Sequence, residues 1–155
     1  MERPELQWNG PQIMFAVSKA TNQAMRIACI TVQRNAKLLV GGAGSGRRYK
    51  RGKKYHTASA PGSPPARDSG VLMSSISYEV GLDRSKTLVQ GKVGGDLDIV
   101  KRKKAGKKSG GNPDYGSYLE TGTKRMAARP WLAPTLKKSA SAIRQIFFRM
   151  LLENK

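Results

Sequence analysis

From about Gln12 to Val40 the chain carries neither glycine nor proline, and an uninterrupted run of that length reads as an α-helix. Apolar residues recur at Ile13, Val17, Ala20, Ala24 and Ile27, with Ala16 and Ala28 broadening the stripe. Spacings of three and four mark one face of an amphipathic helix. At about 1.5 Å per residue it reaches about 40 Å, long for one domain. Its small residues would let a neighbour pack closely. A short arm at residues 1–11, punctuated by Pro4, Gly10 and Pro11, precedes it.

Gly41-Gly42-Ala43-Gly44-Ser45-Gly46 stops the helix and opens a polar loop expected to reach Arg67. Asp68 to Ile76 reads as a short helical turn capped by Asp68 or Ser69. Ser77 to Leu82 and Thr87 to Val93 alternate around a turn at Asp83-Arg84-Ser85-Lys86, the pattern of a β-hairpin. Asp96 to Val100 is a candidate third strand, and Tyr115 to Glu120 a short helix. Arg129-Pro130-Trp131-Leu132 opens the last helix, with Pro130 near the position where a missing N–H costs nothing. Leu132, Leu136, Ala140, Ile143, Ile146, Phe147, Met150 and Leu151 share one face of that helix. The expected architecture is α+β, with no internal repeat. A long N-terminal helix and a C-terminal helix pack on a small antiparallel sheet, in a single domain of residues 1–155 with extended basic loops at 41–67 and 101–114.

Charge narrows the function. The chain has 29 Lys and Arg against 10 Asp and Glu, a net charge of +19. Such a surplus attracts polyanions, so nucleic acid, an acidic protein surface and an anionic membrane are the candidate partners. The cations cluster in two blocks, Arg47, Arg48, Lys50, Arg51, Lys53 and Lys54 in the first and Lys101, Arg102, Lys103, Lys104, Lys107 and Lys108 in the second. Both lie in Gly/Ser-rich surroundings and read as mobile loops suited to phosphate contact without sequence readout. Tyr49 and Tyr55 are too few to form a base-stacking platform. The start, Met-Glu-Arg-Pro-Glu, lacks the regions of a secretory signal, and no apolar run approaches the roughly 20 residues that span a bilayer. A soluble protein made in a reducing cytoplasm, without a membrane partner, is the expectation.

Motifs for catalysis fall short. The glycine run at 41–46 mimics a phosphate-cradling loop, but Arg47 and Arg48 stand where that motif needs Lys and then Ser or Thr, and a helix precedes it instead of a strand. Asp96 and Asp98 lie at the spacing of any surface strand. Pro113-Asp114 with Glu153-Asn154-Lys155 imitates a nuclease signature whose second half falls at a helix end. One Cys (Cys29) and one His (His56) exclude an internal disulfide and a site needing two histidines. Cys29 beside Ala28 and Ile30 reads as a small buried thiol. The expectation is a non-enzyme without metal or cofactor.

Two stretches are more specific than composition. Residues 60–76 read Ala-Pro-Gly-Ser-Pro-Pro-Ala-Arg-Asp-Ser-Gly-Val-Leu-Met-Ser-Ser-Ile. Residues 115–136 contain Tyr115-Gly-Ser-Tyr118-Leu119-Glu120-Thr-Gly122-Thr123 followed by Met126-Ala-Ala-Arg129-Pro130-Trp131-Leu132-Ala-Pro134. Together they resemble the HK97 gp10-like family of tailed-phage neck proteins, the tail-completion or head–tail joining proteins. That family's pattern runs Pro-Gly-x-Pro-Pro, Gly-x-Leu-x-x-Ser-Ile, Tyr-x-x-Tyr-Leu-Glu-x-Gly-Thr, then Met-x-Ala-Arg-Pro-Trp/Phe-Leu-x-Pro. Here Pro61, Gly62, Pro64, Pro65, Gly70, Leu72, Ile76, Tyr118, Leu119, Glu120, Gly122, Thr123, Arg129, Pro130 and Trp131 occupy it. Met73 stands where a basic residue is frequent, Ser69 where Thr is common, and the block at 101–108 enlarges a loop that the pattern does not require.

The matched residues also have a direct physical reading. The prolines of 61–65 stiffen a loop that can project. Gly70 and Gly122 mark sharp turns or close backbone approach. Tyr118, Leu119 and Trp131 are packing residues. Glu120 and Arg129 are candidates for an internal ion pair, or for contacts across a subunit boundary. The resemblance implies a cyclic homo-oligomer, typically a hexamer, in the virion neck. It would link head connector or stopper proteins to a tail terminator or tail tube protein around the channel for genomic DNA, after assembly in the host cytoplasm. A ring needs a heterologous interface, and six copies at +19 each demand nearby anions. Channel DNA or acidic neighbours would supply them. A tail terminator ring protein and a sequence-independent nucleic-acid-binding protein are the alternatives.

Overall fold

The computed structural model describes residues 10–82, 88–95 and 115–153, without the side chains of residues 10–16, Arg51 and Glu153. Helix α1 spans Gly10–Val40, and strands β1 (Arg48–Arg51) and β2 (Lys54–Thr57) follow. Then come α2 (Val71–Ser75), β3 (Ile76–Leu82), β4 (Val89–Gly95), α3 (Tyr115–Thr121) and α4 (Leu132–Glu153). The class is α+β as expected, but with two separate two-stranded antiparallel sheets in place of one, β1–β2 and β3–β4. The turn at 83–86, the candidate strand at 96–100 and the basic block at 101–108 lie outside the described residues.

Helix α1 forms the spine and contacts α4, α2, β3 and β4. Its buried face keeps Ala20, Ala24 and Ala28 of the expected stripe and departs from it at Val17 and Ile27. Ala20, Ala24, Ala28, Cys29, Val32, Ala36 and Val40 are buried, whereas Val17 and Ile27 are exposed. An i, i+4 ridge of mostly alanines lets α4 and the β3–β4 hairpin approach the helix axis closely, and such a ridge turns slowly around the helix. On the far side, Gly91 of β4 lies so close to α1 that a Cβ there would fall 2.8 Å from Met25 Sδ and against the Cys29 sulfur. Glycine is what permits that contact.

The core proper joins the end of α1 to the rest of the chain. Ala36, Val40, Ile76, Leu119 and Trp131 form a buried cluster, flanked by Leu39, Leu72, Met73, Val93, Met126 and Leu132. Two side-chain hydrogen bonds fix α1 against its neighbours. Gln33 Nε2 donates to the Ile76 carbonyl (2.9 Å), and Asn35 Nδ2 donates to Ser139 Oγ (2.9 Å). The face that α4 turns inward overlaps the expected stripe, with Leu132, Ala140, Ile143, Ile146, Phe147 and Met150 half-buried, but its most buried positions are polar. Thr135 and Ser139 are inside, while Leu136 and Leu151 are exposed. The hydroxyls tolerate burial because both are satisfied, Thr135 Oγ1 by the Trp131 carbonyl (2.6 Å) and Ser139 by Asn35. Among the described residues no helix is long and apolar enough to cross a membrane.

Candidate partner-docking surface

The matched motifs build one joint. Gly122 ends α3 with a left-handed φ of 80°, its N–H bonded to the Tyr118 carbonyl (2.9 Å). A side chain there would meet the Ala128 amide nitrogen at 2.9 Å, so the close return of the chain requires glycine. Thr123 and Met126 exchange backbone hydrogen bonds of 2.8 and 3.2 Å, which puts Lys124 and Arg125 at the tip of a tight turn. The Arg129 N–H then reaches the Leu119 carbonyl (2.6 Å). This return brings the first turn of α4 over the end of α3.

Glu120 caps that turn. Its Oε2 accepts from the N–H of Trp131 (2.7 Å) and of Leu132 (2.9 Å), and its Oε1 from Ala133 (2.9 Å). A helix N-terminus leaves such N–H groups without partners and carries a partial positive charge, so a bidentate carboxylate suits it on both counts. Two expectations change. Glu120 and Arg129 do not serve as partners: the Arg129 Nε donates to the Ser59 carbonyl (3.2 Å) instead. Pro130 precedes the helix and does not open it. Pro134 is the proline of the first turn, where no N–H is left to satisfy. Leu119 and Trp131 are buried as expected, and Trp131 Nε1 donates to the Gly116 carbonyl (3.1 Å), but Tyr118 is exposed.

The proline stretch docks onto this joint and does not project from it. Ala60-Pro61-Gly62-Ser63 forms a turn closed by the Ser63 N–H on the Ala60 carbonyl (3.1 Å), with Gly62 at a φ of 75°. Proline followed by a left-handed glycine is the signature of a type II turn. The Gly62 N–H bonds the Ala128 carbonyl (2.9 Å), Pro65 is buried, and the Arg67 N–H reaches the Gly42 carbonyl (3.1 Å). Gly70, with a φ of 73°, takes the N-cap position of α2 expected for Asp68 or Ser69. Leu72 and Ile76 then pack in or against the core.

The first basic block is a β-hairpin, which corrects its reading as a mobile loop. The register pairs Arg48 with Thr57, Tyr49 with His56, Lys50 with Tyr55 and Arg51 with Lys54. Gly52, at a φ of 60°, supplies the conformation that a two-residue hairpin turn needs at its first central position. The glycine run that imitated a phosphate loop is the root of the hairpin. The Gly46 N–H bonds the Ala58 carbonyl (2.7 Å), the Ala58 N–H bonds the Arg47 carbonyl (3.0 Å), and a Cβ on Gly46 would lie 2.9 Å from the Ser59 carbonyl oxygen. Above that root the two strands contact chiefly each other.

Opposed residues of an antiparallel pair share a face. Arg48, Lys50, Tyr55 and Thr57 therefore lie on one side, and Tyr49, Lys54 and His56 on the other, with Lys53 in the turn. Arg48 stacks over the exposed Tyr55 ring (4.6 Å to the centroid), and Tyr49 meets His56 edge to face (5.4 Å). His56 Nδ1 approaches Asp68 Oδ1 (3.8 Å) at the base. No Asp or Glu occurs anywhere from Leu6 to Arg67. Among the described residues, no carboxylate pairs with Arg47, Arg48, Lys50, Lys53 or Lys54.

Cys29 is far from a nucleophile's setting: it is buried in α1 against the β3–β4 hairpin, and burial pushes its thiol up. Among the described residues no three His, Cys, Asp or Glu side chains come together as a metal site would need. Large apolar side chains outside the expected stripes are also exposed, including Ile30 and Leu38 on α1 and Phe148 and Leu152 on α4. Compared with protein-family models, curated proteins and solved structures, the chain matches none.

Proposed function

We propose that the chain is a non-enzymatic structural protein of a tailed-phage neck, a ring-forming tail-completion or head–tail joining component. In this reading copies of the chain form a closed ring, with a hexamer as the expected number, between head connector or stopper proteins and a tail terminator or tail tube protein. The observation that carries it is the meeting of the two motif stretches. They are separated by about 40 residues of sequence, yet the Gly62 N–H bonds the Ala128 carbonyl and Leu72 lies against Gly116 beside Trp131, while the Arg129 side chain bonds the carbonyl of Ser59, the residue just before the first stretch. A chance likeness at two separate places has no reason to converge on one joint; motifs that specify a shared fold do.

The rest of the surface is consistent with assembly. Exposed Leu38 (67%) and Phe148 (70%) on the two long helices are the kind of apolar side chains that association covers. A heterologous interface would use different patches on each neighbour. The test is particle assembly without the protein. The reading expects DNA-filled heads and free tails that stay unjoined, with joining restored when the purified chain is added. Joined, infectious particles formed in its absence would contradict it.

A further inference from the structure

We propose that the β1–β2 hairpin is a DNA-contacting arm, a two-stranded basic ribbon that enters a groove of duplex DNA and neutralises the phosphates on either side. The inference deepens the neck reading and rests on it only for the source of the DNA, the genome in the channel. Three features of the hairpin carry it. First, its cations lie on both faces, Arg48 and Lys50 on one and Lys54 on the other, with Lys53 at the tip. A flat acidic protein surface can meet one face of a ribbon. A major groove, wide enough for a two-stranded ribbon, offers phosphate rows to both.

Second, among the described residues no carboxylate pairs with Arg48, Lys50, Lys53 or Lys54, and Asp68 approaches His56 at the hairpin's base. With no acidic residue from Leu6 to Arg67, the hairpin's cations repel one another in the free chain, and a polyanion removes that repulsion. Third, the chemistry is that of phosphate contact. Lys50, Lys53 and Lys54 are exposed, and lysine is depleted from the centres of protein–protein interfaces but abundant in nucleic-acid ones. The tip is also bare: a Cβ on Gly52 would meet nothing within 4 Å, so backbone can approach the helix closely. The Arg48–Tyr55 stack holds one guanidinium in place before binding, which lowers the ordering cost. The proposed contact is to the phosphate rows and is independent of sequence.

The full-length chain, titrated with a short mixed-sequence duplex over about 50 to 200 mM salt, tests this. The expected slope of log affinity against log salt is steep and falls by about 0.9 per cation removed, so about 2.7 for the variant Lys50→Gln, Lys53→Gln, Lys54→Gln. Changing Lys137 and Lys138 on α4 to Gln should leave more of the affinity intact. In a second measurement on the unaltered protein, the duplex should shield Lys50, Lys53 and Lys54 from acetylation. A triple variant with an unchanged slope, or hairpin lysines equally reactive with and without DNA, overturns the proposal. So does poly-glutamate that shields those lysines better than the duplex, which would make the arm a site for acidic protein. None of these failures touches the head–tail joining assay, so the two readings fall separately.

Discussion

The joint at residues 115–136 and the hairpin at 48–57 treat charge in opposite ways. In the joint a single carboxylate, Glu120, is matched to three backbone N–H groups, and Arg129 is matched to a carbonyl. In the hairpin, cations crowd together and no carboxylate of the described residues answers those of Arg48, Lys50, Lys53 and Lys54. Charge satisfied within the chain stabilises the fold, whereas exposed charge with no internal partner is held by water and counterions and is open to a polyanion. The contrast separates residues that hold the molecule together from those proposed to contact a partner.

Removing the satisfied charge should do the most damage. Glu120→Ala leaves three N–H groups at the start of α4 without their acceptor and should destabilise by about 2–3 kcal/mol, read as a lower urea midpoint. Glu120→Gln, which keeps a neutral acceptor, should recover part of the loss. Gly122→Ala comes next, at about 1–2 kcal/mol. It forces a side chain into a left-handed backbone at φ 80° and against the Ala128 amide. An unchanged midpoint in either variant would mean that the joint is not what holds α3 to α4.

Smaller effects sharpen the contrast. The buried Cys29 thiol is pushed up in the folded chain, so above the ordinary thiol range the unfolded chain ionises first and the folded one does not. Its contribution is therefore fully present at neutral pH and lost as the pH rises through that range. The difference in urea midpoint between the parent and Cys29→Ala should shift in favour of the variant at alkaline pH. Smallest of all is the hairpin triple Lys-to-Gln variant, whose stability should stay within about 0.5 kcal/mol of the parent by thermal unfolding while its DNA affinity falls.

How far the sequence foretold this differs by region. Most of α1 was legible because the absence of Gly and Pro is a local signal, although the helix begins at Gly10 and takes in Gly10 and Pro11 of the expected arm. Its buried face was legible only in part: Ala20, Ala24 and Ala28 are inside as the stripe required, but alanines at i, i+4 outcompeted Val17 and Ile27 once α4 and Gly91 needed close approach. The β3–β4 hairpin was legible from alternation, and its register runs from Ile76 opposite Gly95 to Leu82 opposite Val89. The β1–β2 hairpin was hidden by its charge. Tyr49, Tyr55 and Thr57 are strand formers flanking Gly52, but six cations made the segment look like a loop.

The start of α4 was misread for a different reason. Pro130 is a local cue, whereas the cap comes from Glu120, a residue whose position depends on the turn at Gly122. Long-range capping leaves no pattern at the site it acts on. Even so, the sequence had singled out Glu120, Gly122, Arg129 and Trp131, and the structure brings all four into the joint. Tyr118, read as packing, is exposed on the same helix because Leu119 alone turns into the core.

The proposal at the centre of the account is architectural: that a satisfied joint carries an unsatisfied basic arm in a ring at the head–tail junction. Imaging the head–tail junction of the tailed-phage particles that the proposed function calls for tests it most directly. The account predicts a closed ring of this fold there, with the β1–β2 hairpins directed at the DNA in the channel. Particles in which the chain occupies another part of the virion, or is absent, would contradict it.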